Sequence, residues 1–430
     1  MITAYPSPND FATLNRSTLP QGEGGETGKM QSDVKVVMTE SRQFEPKSAL
    51  AFIVAFGIVS FFADMAYEGM RGISGPFLAT LGASGAAVGI IAGTGEMSGY
   101  LLRLASARLV ERTRLYWIIT LAGYAIQMAA VPLLAFAGNW WMAAVLIIVE
   151  RAGKAVRNPA ANTMMSRAGE HIGQGWAFGL HEAMDQTGAM AGPLIAAFVL
   201  ARHHDYPLAL LWLGVPAFLT LVSVGVTALR FPYAGHVQAP DKPGMAGGLS
   251  RAFWLYTASA ALFAFGFADY SLVAYHYSKA AVVSAAMIPI LYAAAMGASG
   301  AGSLIFGRWF DRRGLVVLFP GIGLAVLAPP LMFLGGAALA VVGTILWGIA
   351  LGVQDAIMSA AVARLVPEQY RARAYGLFPA LYGVAWFAGS ATLGALYDVS
   401  LVSLAVVASL AQLLAFYPLW LAVRAARGAQ

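Results

Sequence analysis

The sequence predicts an all-α membrane protein with twelve transmembrane helices in two parallel-repeat six-helix bundles. Three observations predict it. Hydrophobic residues fill 59% of the 430 positions and charged residues only 11%, against about 25% charged in soluble domains. The apolar residues fall into about twelve stretches, each near the roughly 20 residues that a helix needs to cross the hydrocarbon layer. Lys and Arg collect at every second connection between those stretches.

In chain order, residues 1–46 are polar, mix both charge signs with Ser, Thr, Pro and Gly, and hold no apolar core of the signal-peptide kind. They read as a disordered cytoplasmic tail ahead of an uncleaved first helix. The expected spans are 49–74, 84–106, 115–136, 139–166, 175–200, 206–229, 251–277, 281–306, 314–334, 337–364, 372–397 and 401–424. Residues 47–229 form the first bundle. A cytoplasmic loop, 230–250, carries Pro232, Pro240 and Pro243 and leads to the second bundle, 251–424, and a short tail, 425–430.

Connections after odd spans are short and nearly uncharged, as at Gly138-Asn139 and Gly335-Gly336, whereas those after even spans are basic. Of 27 Lys and Arg, 19 fall at even connections or the C-terminal end, and only Arg202 and Lys279 at odd ones. The positive-inside rule then places both termini in the cytoplasm, with the chain in the inner membrane. The net charge of +6 is explained by this topology, so nucleic acid is not an expected partner. With no Cys, no zinc-type His spacing, no nucleotide loop and no Gly-x-Ser-x-Gly elbow, neither a metal site nor an enzyme is expected. The expected partners are a small solute and the lipid bilayer, for a monomer that needs no cofactor beyond a proton gradient.

The halves match in three places: Phe62-Ala63-Asp64 with Phe267-Ala268-Asp269, Glu111-Arg112 with Asp311-Arg312, and Ala177-Phe178-Gly179-Leu180 with Ala374-Tyr375-Gly376-Leu377. Their nearly constant separation, about half the membrane region, implies a parallel repeat.

Twelve spans, a central loop and the segment Gly307-x-x-x-Asp311-Arg312-Arg313-Gly314 after span 8 resemble the major facilitator superfamily, whose signature is Gly-x-x-x-Asp-Arg-x-Gly. In the first-half copy, Ala107-x-x-x-Glu111-Arg112-x-Arg114, both glycines are missing and Glu replaces Asp. The resemblance implies a secondary transporter working by alternating access, with these loops as gates. The alternative is plain basic loops that set topology. In span 5, Gly188-x-x-x-Gly192-Pro193 is similar to the core of an exporter and antiporter motif, which implies efflux; ordinary helix packing is the other reading. Glu150-Arg151-x-Gly153-Lys154-x-x-Arg157-x-Pro159 and Asp64-x-x-Tyr67-Glu68 resemble segments of a bacterial branch of drug or metabolite efflux facilitators.

Ionisable residues within spans mark cavities or paired groups, because each costs about 2.5–3.5 kcal/mol at mid-bilayer. Asp64, Glu68 and Arg71 share one face of span 1, an internally compensated pair plus a spare carboxylate able to carry a proton, or else a static ion pair. His181, Glu182 and Asp185 in span 5 form a second proton-coupling candidate, with His181 and Asp185 four residues apart. Arg71, Glu96, Asp269, Gln354 and Asp355, with the aromatic Tyr270, Tyr275, Tyr292, Trp347, Tyr382 and Trp386, are candidates for the solute cavity. Arg151, Lys154 and Arg157 line span 4, either to attract an anion or to snorkel. The expected activity is proton-coupled efflux of a small organic solute. Uptake of an anionic metabolite is the runner-up, and a non-transporting sensor or assembly component is the alternative from another class.

Overall fold

The computed structural model describes residues 46–235, 248–367 and 370–427, and most of the tail expected over 1–46 and the centre of the loop expected over 230–250 lie outside them. Fourteen α-helices follow among the described residues. The first half holds α1 (Pro46–Thr80), α2 (Gly85–Thr113), α3 (Tyr116–Leu133), α4 (Trp140–Glu170), α5 (Gln174–His203) and α6 (Tyr206–Arg230). The second holds α7 (Arg251–Gly266), α8 (Tyr270–Lys279), α9 (Met287–Arg313), α10 (Leu318–Leu334), α11 (Ala337–Leu365), α12 (Arg371–Val399), α13 (Leu401–Leu414) and α14 (Phe416–Arg427).

Two expected spans are broken helices, which corrects the continuous 251–277 and 401–424. The seventh breaks at Phe267-Ala268-Asp269, where the Asp269 side chain accepts from the Ser271 N–H as a new helix cap. Trp347 Nε1 donates to the freed Ala268 carbonyl at 2.9 Å. The last span breaks at Ala415, whose carbonyl accepts from Ser259 Oγ at 2.8 Å. An apolar run continues through both breaks, so hydropathy alone does not reveal them. The helix α14 also runs to Arg427, past the expected start of the C-terminal tail.

Nine stretches among the described residues are long and apolar enough to cross a membrane, and three of them, Arg251–Lys279, Met287–Leu334 and Leu401–Arg427, each contain two α-helices. The helices α2 and α4 do not meet that criterion, because they carry charges where the others carry aliphatic side chains. Those charges form the site.

Between the halves, α1 packs on α8, α2 on α12, and α5 on α9. Glycine makes two of these approaches possible. A Cβ at Gly75 would enter the Ser271 backbone of α8, and one at Gly89 would enter the Ser390 carbonyl of α12. Both contacts lie toward the end that carries the short loops. At the basic-loop end, α4 and α11 are not among the closely packed pairs, and Gly173, Gly175 and Gly179 at the start of α5 face open space. The short-loop end is therefore sealed and the basic-loop end parted.

Candidate functional site

Halfway along the helices, between the halves, lies a polar cavity of about 220 Å³. The first half lines it with Asp64, Tyr67, Glu68, Arg71, Glu96, Tyr100, Arg103, Arg151, Lys154 and Gln186. The second half contributes Met296, Ser299, Leu351, Gln354, Asp355 and Trp386. Eight charged side chains in so small a space must be paired with one another or with a ligand, since burial disfavours an isolated charge.

Most are paired. Arg71 bridges Asp269 at 3.1 Å and Glu96 at 3.3 Å, and Arg151 bridges the same Glu96 carboxylate at 3.0 Å. Arg151 also donates to the Tyr67 hydroxyl. Lys154 stands 3.7 Å from Asp64 and 4.0 Å from the centre of the Tyr67 ring, so Tyr67 carries two cations. The pair expected inside span 1 is absent: Arg71 reaches across to α8 and α2 rather than to Asp64 or Glu68. A helical face brings three side chains into one sector, but Arg is long enough to prefer better-placed acids on neighbouring helices.

Glu68 then stands apart. Its Oε2 accepts from the Tyr292 hydroxyl at 2.5 Å, and no cation lies within ion-pair distance of it among the described residues. Because Tyr292 belongs to α9, the bond joins the two halves. Asp269 is buried and pairs with the cavity-lining Arg71 without lining the cavity itself. Asp355 does line it.

Tyr270, Tyr275, Tyr292, Trp347 and Tyr382, aromatic residues expected in the cavity, do not line it. Trp347 is spent on the broken span, Tyr270 donates to the Ile288 carbonyl at 2.7 Å, and Tyr275 to the Ala83 carbonyl at 3.0 Å. A buried Tyr or Trp needs a partner for its polar tip, and at these positions backbone carbonyls supply it. Of the aromatic residues expected there, Trp386 does line it, joined by Tyr67 and Tyr100, which lie one turn from the charged Asp64 and Glu96, a signal present in the sequence.

The span 5 group lies within the first half, off the cavity. His181 Nδ1 stands 3.3 Å from Asp185 Oδ2, and its Nε2 is 2.8 Å from Ser60 Oγ on α1. Glu182 is exposed and accepts from Gln186 at 2.9 Å. Gly188 and Gly192 press against the Phe61 and Met65 carbonyls of α1, with Pro193 beside Gly72, so this motif is a close-packing seam between α1 and α5. Of the span 4 cations, Arg151 and Lys154 reach the cavity. Arg157 neither snorkels nor meets the cavity: it is buried, donating to Gln127 at 2.8 Å and to Tyr124 at 3.0 Å. Gln127 in turn donates to the fully buried Glu150 at 2.8 Å.

At the basic-loop end, Glu111 and Asp311 take part in no ion pair among the described residues, although Arg112, Arg312 and Arg313 are their neighbours in sequence. A Cβ at Gly307 would meet the Ala356 Cβ of α11 in ordinary contact at 4.0 Å. Gly314 ends α9 at φ 64° and ψ −147°, with the Arg364 guanidinium against it. Arg114, its counterpart in the first half, takes φ 57° without being glycine. No group of three or more His, Asp and Glu among the described residues is placed to hold a metal ion.

The sequence profile of the Major Facilitator Superfamily matches residues 49–390. An uncharacterised protein of Mycobacterium tuberculosis is 40% identical over 377 residues, covering 86% of this chain and 92% of that one. An uncharacterised MFS-type transporter of Methanocaldococcus jannaschii is 24% identical over 362 residues, covering 81% and 89%. Among solved structures, the peptide transporter POT in complex with sulfate superposes with a TM-score of 0.74 at 14% identity, covering 87% of this chain and 95% of that one. The nucleoside transporter NupG gives 0.68 at 16%, covering 87% and 98%. A bacterial homologue of the human lysosomal transporter Spinster, inward-facing and occupied, gives 0.65 at 15%, covering 86% and 96%. At such identities the likeness is one of fold alone.

Proposed function

The chain belongs to the major facilitator superfamily, and from that premise we propose that it expels a small organic solute from the cell in exchange for protons, by alternating access. Family and fold make it a multi-pass membrane transporter. The finer reading adds direction, coupling and placement: outward transport by a monomer in the inner membrane, with both termini and the parted basic-loop end facing the cytoplasm. The asymmetry of Lys and Arg supports this orientation.

The observation that carries the coupling is Glu68. It is a cavity carboxylate without a cation, and its hydrogen bond to Tyr292 spans the two halves. Adding a proton to it converts a charge-assisted bond into a neutral one and removes a charge from the cavity, so protonation bears on both solute affinity and the grip between halves. Asp64 and the His181–Asp185 pair are the alternative carriers. The resemblance of the span 5 motif to that of exporters supports the outward direction, and no step requires covalent chemistry.

The test is accumulation of a panel of fluorescent organic compounds by cells with and without the protein. Expression is expected to lower accumulation of some of them, and a protonophore to restore it. Glu68→Gln is expected to abolish the effect, with Asp64→Asn and Asp185→Asn weaker. If Glu68→Gln, Asp64→Asn and Asp185→Asn all keep full gradient-dependent export, the assignment of the carrier is wrong.

A further inference from the structure

We propose that the transported solute is a small protonated amine bearing an aromatic or other planar group, bound on the second half's wall of the cavity. The inference rests on the transport reading and names its substrate class. It follows from asking which polar groups of the cavity still lack a partner.

On the first half's wall the charged ends of the cations are engaged, and the groups left over are Arg71 Nε and Gln186 Oε1, a donor and an acceptor buried without partners. Arg71, Arg151 and Lys154 each lie within 3.0–3.7 Å of a carboxylate. Arg103 lies against the Tyr100 ring, 5.8 Å from its centre, and with the Asn158 amide turned end for end it donates to the amide oxygen at 3.2 Å. An anionic solute would have to displace these partners.

The opposite wall is the reverse. Its one charged member, Asp355, has no cation within ion-pair distance among the described residues. Beside it, Gln354 Oε1 and Trp386 Nε1 are buried with no hydrogen-bond partner. Gln354 is 8% exposed and Trp386 3%, and both line the cavity. The hydroxyl of Tyr382, packed 5.8 Å from Trp386, is likewise unpartnered. Buried polar groups are almost always satisfied, so this wall is shaped for something.

The vacant valences describe it. Asp355 and the Gln354 carbonyl call for a cation with N–H donors, which a protonated amine supplies and a quaternary ion does not. The Trp386 N–H calls for an acceptor on the same molecule. The rings of Tyr100 and Trp386 offer flat apolar surface for a planar group. About 220 Å³ restricts the solute to a small one. Protonating Glu68 removes a negative charge that would attract the amine across the same cavity, so an amine at Asp355 and a proton at Glu68 disfavour each other, which is what exchange requires.

Tryptophan-fluorescence titration of the purified, detergent-solubilised protein tests this with phenethylamine, its neutral isostere phenethyl alcohol, and phenylacetate. Saturable quenching by phenethylamine is expected, at least about tenfold tighter than by the alcohol, with none by phenylacetate. Asp355→Asn is expected to weaken the amine by about tenfold or more and leave the alcohol unchanged, while Asp355→Glu keeps the preference. The proposal is overturned if phenylacetate binds as tightly as the amine, if the amine does not saturate, or if Asp355→Asn with an unchanged melting midpoint binds it undiminished. Binding in detergent needs no gradient, so its failure leaves proton exchange standing, and a failure of gradient dependence leaves the amine site standing.

Discussion

At the scale of single residues, the centre of the molecule is decided by which charge meets which. Asp269 is 1% exposed at its side chain and Arg71 11%, so each depends on the other for its charge. Removing one member of such a pair costs about 3–5 kcal/mol, because the survivor is left buried and unpaired, whereas replacing both with apolar groups often costs little. Arg71→Met is therefore expected to lower the melting midpoint in detergent sharply, and Arg71→Met with Asp269→Leu to recover most of it. Equal losses in Arg71→Met and the double variant would mean that the orphaned Asp269 carboxylate carries no penalty of its own. The sequence displayed these acids as intramembrane charges but not their pairing. Asp64, Glu68 and Arg71 share a helical face, and the step from face to contact needs the positions of α2 and α8, which no local pattern encodes.

At the scale of elements, loops and breaks follow local rules more closely. Gly314 sits in a backbone region that is essentially glycine's alone, and the signature around it was legible in the sequence. The first-half copy was legible too, as a departure: Arg114 now holds a left-handed conformation at φ 57°, which costs a side-chain-bearing residue about 1–2 kcal/mol. Arg114→Gly is expected to stabilise the protein by about 1 kcal/mol or somewhat less, after the entropy glycine loses, read as a small rise in melting midpoint. A fall would show that the Arg114 side chain makes a contact worth more than the strain. The break in span 7 was half legible, since Gly266 followed by Asp269 is a stop and a cap, but the Trp347 bond that makes it tolerable comes from 79 residues away. The α1–α5 seam makes the opposite prediction to the loop. Gly192→Ala forces a methyl into the Met65 backbone, where neither helix can yield cheaply, and is expected to destabilise by at least the 1–3 kcal/mol typical of overpacking.

At the scale of the whole molecule, the hydropathy pattern made the all-helical, multi-pass membrane fold legible, because lipid acts on each helix separately. The closure of one end was not legible, since its bonds join residues hundreds of positions apart. The strongest of them is Asp398 at the end of α12, whose two oxygens accept from the Gly85 and Ala86 N–H groups at 2.9 and 2.8 Å. Those are first-turn donors of α2 with no partner inside their own helix, and a carboxylate there also gains from the helix dipole. Opening the short-loop end, as the proposed exchange requires, separates α2 from α12 and breaks both bonds. A cap of this kind contributes about 0.5–2 kcal/mol, so Asp398→Ala is expected to shift the balance toward the short-loop-open state by about two- to thirtyfold. The absence of Cys lets spin labels be placed cleanly at Leu81→Cys and Val399→Cys, and their distance distribution reads the populations directly. Asp398→Ala should enlarge the long-distance fraction, and Asp398→Asn, which still accepts one bond, should fall between it and the unmodified protein. An unchanged distribution in both would show that the apolar seam from Gly75 to Gly89 closes this end without help from the carboxylate.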